Sequence, residues 1–489
     1  MTRRPTLPPF VKILPLVVVG ILLGEWLDAE AWKCAVGAAV LIICSLMFGS
    51  RRRIATIYSM AAVVMTAMFT TALRQTPDTL PYDQTITTRA TITSATTKHG
   101  RWSECEALLD YNGERYKVFL RSDTALVAPE LGEVRVLTAK VRRLPEGSYG
   151  NLMRRRGFSA SCYSWSEGDW KPTQVASSPL IWARRCQQRF VERVDRLGLE
   201  PNQASVVKAM ALGWRSDIDS ELHTAYSKAG CAHLLAISGL HVGIVAMLVW
   251  AMLWFLPLTS RRGHIWRNLL SMASMVVYAV VTGMSPSVMR ATLMFCSAQF
   301  GLAMGSKRSS AMALCVALGL MLLFNPNNLF DISFQLSAIA VVGIMAGFEP
   351  LMERVRSNVG VANALWATIL IGVCSMIATL PLVAHTFGVV GLSGIMLNPL
   401  VILTANIIVL GTILWVIMPI GVLAPVVGRV VGLCAEVQNR CVEAAASHKW
   451  LIIETTPPAW VVITCYAAMF VLLVVAHYHK DKTVWKLKR

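Results

Sequence analysis

Residues 51–93 read RRRIATIYSMAAVVMTAMFTTALRQTPDTLPYDQTITTRATIT. Two patterns meet in that stretch. Residues 54–73 are mostly apolar and match the ~20 residues that a helix needs to cross a bilayer. Thr85 to Thr93 instead alternates polar and apolar side chains, the period of a half-buried strand. Arg51, Arg52 and Arg53 stand in front of the apolar run. A membrane helix that passes into strands predicts a membrane protein with a β domain built into it.

The rest of the chain extends both patterns. Of its 489 residues 55% are hydrophobic and 15% charged, against about 25% charged in soluble domains. Two further apolar runs, 10–24 and 33–49, precede the quoted stretch. The first has no small-residue cleavage site behind it and is expected to stay as an anchor. Basic residues collect on cytoplasmic flanks of spans. Arg3, Arg4, Lys12 and the three arginines at 51–53 therefore place the N-terminus inside and residues after 73 outside. The net charge of +18 has the same explanation and does not by itself point to a polyanion.

In residues 74–175 the stretches Tyr116–Arg121 and Glu133–Val141 alternate as well. Asn112-Gly113 carries the signal of a two-residue type I′ hairpin. About 100 residues of short strands predict a small sandwich or barrel, with an OB-like barrel preferred. Cys105 and Cys162 are the cysteines of this domain. Both lie in strand-like runs, and a disulfide persists outside the membrane, so they are predicted to pair. None of the twelve cysteines forms a CxxC pair or a Cys/His cluster of zinc spacing, so no metal site is expected.

After the β domain, Arg184, Arg185, Arg189, Arg193 and Arg196 alternate with Phe190, Val194 and Leu197. Such an amphipathic helix lies on a membrane surface or packs on the β domain. Asp217 to Gly230 predicts a second helix with Gly230 as its C-cap. Further spans are expected at 232–257, 268–284, 288–304, 309–324, 331–347, 360–380, 400–418, 421–436 and 459–477. The stretch 381–448 is ambiguous: His385–Leu400 also reads as re-entrant, and 421–448 as lying along the outer surface. The fold class expected is a polytopic α-helical membrane protein with an inserted soluble all-β (OB-like) domain on its outer face. Its parts are 1–73 for the first helices, 74–175 for the β domain and 176–230 for an amphipathic linker. A membrane domain follows over 231–478, then a basic cytoplasmic tail over 479–489.

Residues 231–245 read CAHLLAISGLHVGIV. His233 through Val242 resembles the HLLAISGLHV signature of the ComEC competence family. Three more segments resemble that family in the same order: SPSVMRA at 285–291, DISFQLS at 331–337 and Asn398-Pro399-Leu400. Tyr149 to Phe158, with Arg154, Arg155 and Arg156, is similar to the end of the family's outer β domain. The resemblance implies an inner-membrane channel that passes single-stranded DNA into a bacterial cell during natural transformation. It also implies partners: an extracytoplasmic DNA receptor, a cytoplasmic helicase or strand-binding protein, and membrane lipid. Many relatives continue into a metallo-β-lactamase-like domain. Here His477, His479 and Asp481 imitate the start of its metal motif, but Lys482 stands where a further His belongs. The chain is expected to lack that nuclease and to rely on a separate one. No P-loop or GxGxxG occurs, so no cofactor is expected and any ATP-driven pulling falls to a partner.

Strand binding without sequence preference combines cations with stacking aromatics. Residues 74–175 hold 15 Lys and Arg against 12 Asp and Glu, so any such surface must be local. Arg142, Arg143, Arg154, Arg155, Arg156 and Trp165 are the candidates, with Trp102, Tyr149, Phe158 and Tyr163 nearby in sequence. The competing reading makes the aromatics barrel core and the arginines a solvated face. In the membrane domain a polar side chain requires a cavity or a partner. Arg290 reads either as lining the DNA path or as an ion pair with Asp331. His233, Ser238, Gly239 and His241 read as a broken helix facing water or as tight packing. Gln335 and Asn398 read as channel residues or as interhelical glue. Two other function classes remain: a secondary transporter of a small solute, although no inverted repeat is visible, and an intramembrane serine hydrolase built on Ser238, although no GxSxG elbow is present.

Overall fold

Peptide groups in hydrocarbon must bond within their own segment, which leaves long helices as the form for the apolar runs. A computed structural model describes residues 9–27, 30–48, 51–74, 80–94, 96–99, 102–123, 130–164, 172–175, 178–254, 261–303 and 310–487. Contacts divide the chain into two units, Met1–Phe190 with Leu253–Asp331, and Val191–Met252 with Ile332–Arg489.

In the first unit α1 (Pro9–Trp26), α2 (Ala31–Met47) and α3 (Arg52–Ala72) form the opening bundle. The barrel follows as β1 (Thr85–Ile92), β2 (Thr97–His99), β3 (Trp102–Tyr111), β4 (Glu114–Asp123) and β5 (Glu133–Arg142). Then come α4 (Ser148–Arg155), β6 (Phe158–Ser164) and β7 (Pro172–Val175). The strand order β1-β3-β4-β6-β5 closes because β5 pairs back with β1. The β4–β6 pairing is parallel and the others in the ring are antiparallel. β2 and β7 are additions at the sides of β3 and β5. This is the expected closed, OB-like barrel.

Its interior is made of alternate strand residues, among them Ile92, Ala107, Leu109, Val118, Leu120, Leu137, Ala139 and Ala160. Alanines and cysteines are interspersed with leucines, valines and an isoleucine, the mix of small and large side chains that fills a narrow barrel. Asn112 and Gly113 have φ of 53° and 82° and join β3 to β4 directly, the type I′ geometry their sequence announced.

The predicted Cys105–Cys162 disulfide is absent, and both thiols are free. Register gives the reason. Cys105 on β3 faces Leu120 on β4, and Leu120 faces Cys162 on β6. The cysteines are two strand spacings apart, about 9–10 Å. A disulfide needs Cα atoms within about 4.4–6.8 Å. Both fill the barrel core instead.

The amphipathic stretch after the barrel forms α5 (Pro179–Asp195). Its first half packs on the barrel: Arg184 reaches Glu106 at 3.4 Å, and Arg185 donates to the Leu131 carbonyl at 3.1 Å. In the second unit come α6 (Pro201–Leu212) and α7 (Ser220–Lys228). The sequence reading missed the character of α6, whose residues from Ala204 to Leu212 are all buried. Its Lys208 survives burial because Asp195 and Asp217 meet its ammonium at 2.7 and 2.8 Å.

The remaining helices are α8 (Gly239–Trp254), α9 (Arg261–Val281), α10 (Pro286–Ala303), α11 (Ser310–Phe324), α12 (Ile332–Val355) and α13 (Gly360–Phe387). The short strand β8 (Val389–Gly391) precedes α14 (Ser393–Ile417) and α15 (Ala424–Ser447). Strand β9 (Ile452–Glu454) pairs with β8, and α16 (Ala459–Leu487) ends the described chain. Among the described residues six helices are long and apolar enough to cross a membrane: Arg53–Ala72, Ala232–Trp254, Ile332–Val355, Gly360–Phe387, Ser393–Ile417 and Gly421–Ser447. Only 6% of the Ile332–Val355 window is buried against 50% for Ser393–Ile417, so α12 is largely uncovered and α14 is central to its unit. The stretch read as re-entrant is mostly helix. α13 runs on through His385 to Phe387, the interruption covers 388–392, and Asn398 and Pro399 lie inside α14.

Burial pushes the Cys105 and Cys162 thiols up to about 12, so almost no thiolate exists near neutrality. The expected outcome is that neither reacts with a maleimide in the folded protein at about pH 8 and that both react after denaturation without reductant. Mass spectrometry reads this directly, and a non-reduced peptide joining the two would contradict the register.

Candidate functional site

Two clusters gather the sequence candidates, one in each unit. The first is the outer face of the barrel. Period two along β4 sends Lys117, Phe119 and Arg121 outward. Arg121 faces Glu104 on β3 and Tyr163 on β6. Its Nε donates to Glu104 at 2.8 Å and its Nη1 to the Tyr163 hydroxyl at 2.9 Å. Trp102 meets the Tyr163 ring edge to face at 6.5 Å, and the Arg142 guanidinium lies 5.1 Å from the same ring. Trp102 is 39% exposed, which leaves an indole face open beside two cations. Arg143 sits 4.7 Å from the Tyr82 ring.

The other half of that face is covered. Phe158 stacks on Phe119 at 3.9 Å, and the Lys117 ammonium lies 3.9 Å from the Phe158 ring. Burial there pulls the Lys117 pKa below the usual lysine range, against the opposing pull of Glu106 at 3.2 Å. The sequence candidates therefore divide. Arg142 joins the open patch. Arg154 donates within its own helix to Asn151 Oδ1 at 3.0 Å. Arg155 reaches Glu25 at 3.3 Å and lies 3.8 Å from the Phe330 ring, while Arg156 pairs with Asp331 at 3.5 Å. Arg155 and Arg156 thus tie the end of α4 to the end of α1 and to Phe330 and Asp331 within the first unit. Asp331 is not bonded to Arg290, which overturns the ion pair considered for that residue. Trp165 lies outside the described residues. Arg121 was missed, although its place in the alternation of β4 marked it as outward.

The second cluster surrounds residues 228–242. The helix α7 ends in a Schellman turn: the Gly230 N–H donates to Ser227 and the Cys231 N–H to Tyr226, with Gly230 at φ +73°. The motif then runs through a short 3-10 turn, Ala232–Leu234, and irregular backbone to Ser238. α8 begins only at Gly239, so the expected span 232–257 is broken where the sequence suggested. The Ser238 N–H donates to Nδ1 of His241 at 3.1 Å. An Nδ1 that accepts leaves the ring proton on Nε2, which is buried without a partner. Because Nδ1 is taken by a backbone amide, it is not available as a base for the Ser238 hydroxyl. His233 is exposed on the 3-10 turn.

The other interruption, 388–392, packs on this one. A Cβ on Gly391 would collide with Lys228 O, Gly230 N and Ala229 C, and one on Gly394 would press on Gly230 O at 3.2 Å. Ser393 donates from Oγ to the Ala229 carbonyl at 3.2 Å. The glycines at 388, 391 and 394 were the sequence signal for this junction. A buried network holds α7 in place: Gln438 Nε2 donates to the Tyr226 hydroxyl at 3.0 Å, which donates to Asn439 Oδ1 at 2.7 Å. Thr404 donates to Gln438 Oε1 at 2.9 Å. Asn398 lies against Gly372, with Nδ2 only 2.5 Å from where a Cβ would stand and with Oδ1 unpartnered. Gln335 is half-buried near the start of α12 and engaged by neighbours. Among the described residues no group of three or more His, Cys, Asp or Glu is placed to hold a metal.

The family model described as Competence protein matches residues 210–478, over half of the sequence, and it begins just ahead of this junction. The chain belongs to the competence protein family. The resemblance read from residues 233–242 is thereby borne out. This member is 30% identical over 204 residues to ComE operon protein 3 of Bacillus subtilis (strain 168), a match covering 42% of this chain and 25% of that protein. It is 29% identical over 214 residues to Competence protein ComA of Neisseria gonorrhoeae, covering 42% of this chain and 30% of that one. The aligned part thus spans between a quarter and a third of the curated relatives it matches. No solved structure matches.

Gly391→Ala should force the junction apart. Overpacking costs about 1–3 kcal/mol, so a lower melting temperature and reduced membrane abundance are expected. Gly243→Ala, one residue past the motif with nothing within 4 Å, is the control and should leave both unchanged. Equal behaviour of the two variants would remove the junction from the argument.

Proposed function

We propose that this chain is an inner-membrane channel that passes single-stranded DNA into a bacterial cytoplasm during natural transformation. The observation that carries the reading is the open half of the barrel face. There the exposed Trp102 supplies a stacking surface beside the guanidiniums of Arg121 and Arg142, which the Tyr163 ring holds in place. Cations that track a backbone beside rings that accept any base are what sequence-independent strand binding uses. The two curated relatives are named for the ComE operon and for competence, which supports the same role.

In this reading the barrel stands outside the cytoplasmic membrane and both termini lie inside, as the basic flanks of the helices favour. The strand is captured at the barrel. It then crosses beside the interrupted backbone at 231–238 and 388–392, with His233, Ser238, Gly239, His241, Gln335 and Asn398 as the polar groups there, and Arg290 of the first unit meets the strand separately. Irregular backbone at membrane depth is tolerated where it lines water or is buried in protein. Force comes from a cytoplasmic helicase or strand-binding protein, delivery from an outer DNA receptor, and removal of the second strand from a separate nuclease. Reading the protein as a channel and not an enzyme agrees with the occupied Nδ1 of His241, which leaves Ser238 without that base.

The decisive experiment deletes the gene and measures labelled DNA separately in the periplasm and the cytoplasm. Periplasmic DNA should persist and cytoplasmic DNA should vanish; normal cytoplasmic uptake would end the channel reading. For the capture step, Trp102→Ala in the full chain should weaken binding of a short single-stranded oligonucleotide roughly ten-fold, since stacking on one base is worth about 1–3 kcal/mol. Unchanged affinity would move capture away from this face.

A further inference from the structure

Arg290 stands in the second turn of α10 and is 5% exposed. Its Nε is buried without a hydrogen-bond partner, and among the described residues no carboxylate pairs with it. Arg135 shows the ordinary arrangement: equally buried, it holds Glu133 at 2.6 Å. A guanidinium keeps its proton at any working pH. Taken out of water alone it carries a heavy desolvation penalty, which an opposite charge must offset. Among the described residues none provides that charge at Arg290.

The place of the missing anion follows from helix geometry. Arg290 is about 6 Å beyond Pro286, four residues at 1.5 Å each. Helical side chains lean toward the N-terminus of their helix, so this guanidinium reaches back over the first turn. Ser285 stands just before that turn and has a buried hydroxyl with no partner. The first turn of an 18-residue helix also presents the positive end of its dipole. A planar fork of N–H donors, a free hydroxyl and a helix start together fit a tetrahedral oxyanion.

We infer that the start of α10, with Arg290 and Ser285, is a seat for a phosphate group. Resting on the channel function proposed above, the phosphate is a backbone phosphodiester of the strand in transit. An anionic lipid headgroup presents the same chemistry, and the experiment separates the two sources.

The full chain is placed in nanodiscs of zwitterionic lipid and melted with inorganic phosphate or with chloride at equal ionic strength. Wild type should gain melting temperature with phosphate. Arg290→Met should lose that gain yet melt no lower than wild type in chloride, because an apolar side chain of similar length removes an uncompensated charge. Arg290→Lys, a charge without the fork, should keep a smaller gain. Ser285→Ala should also reduce it. An equal gain in wild type, Arg290→Met and Ser285→Ala overturns the seat. In cells, Arg290→Met should lower cytoplasmic DNA uptake at least roughly ten-fold at unchanged membrane abundance. Normal uptake would overturn the assignment to the strand. So would loss of the phosphate response when phosphatidylglycerol is added to the nanodisc, which would give the seat to a headgroup. Failure of the channel reading itself would leave the Arg290-dependent phosphate response intact.

Discussion

An amide or carbonyl group in hydrocarbon has no water to bond and must be satisfied by the protein itself. The second unit is organised around two places where the helical solution fails, 231–238 and 388–392. Each break is closed by the other. Gly391 and Gly394 bring one strand of backbone against Gly230, and Ser393 supplies a donor to the Ala229 carbonyl. The network from Thr404 through Gln438 and Tyr226 to Asn439 then fixes the helix that leads into the first break. In that network both ends of the Gln438 amide and the Asn439 Oδ1 are bonded, and only Asn439 Nδ2 is left without a partner. The family signature thus sits on a structural discontinuity and not on a regular span.

In the first unit the equivalent difficulty is the sheet edge, and closure removes it. The barrel then divides its outer surface by what lies against it. Phe158 and α5 cover one half of the β3–β4–β6 face, and the half that carries Trp102, Arg121 and Tyr163 is left open. Arg155 and Arg156, at the end of α4, pair with Glu25 and Asp331. Charge clusters that look alike in the sequence therefore serve opposite ends, one as an open cationic patch and one as an anchor.

Much of this was legible beforehand, for reasons that are local. Apolar length marked the helices, period two marked β1, β4 and β5, and Asn112-Gly113 marked the hairpin because only certain residues accept a positive φ at both turn positions. What failed was non-local. The disulfide required a register, and only the order β3-β4-β6 reveals that Leu120 stands between Cys105 and Cys162. The Asp331 partner required knowing that the end of α4 lies against residues 330 and 331, some 175 positions later in the chain. α6 hid a fully buried helix behind Lys208, since a lone lysine in sequence does not disclose two aspartates waiting for it. The junction at Gly391 was readable only as an ambiguous, re-entrant stretch, because its close approach to Gly230 is non-local.

The parallel pairing of β4 with β6 bears on how the protein is made. Four of the seven strands leave the ribosome before the chain has anything to close the ring, and β4 waits for residues 158–164 while β1 waits for β5. Until then an unfinished sheet with two bare margins exists on whichever side of the bilayer receives it. Pairings that span so much chain form slowly and leave the nascent product prone to association. The barrel can therefore close only after residues 158–164 have been made, so its ring is completed late relative to its first hairpin.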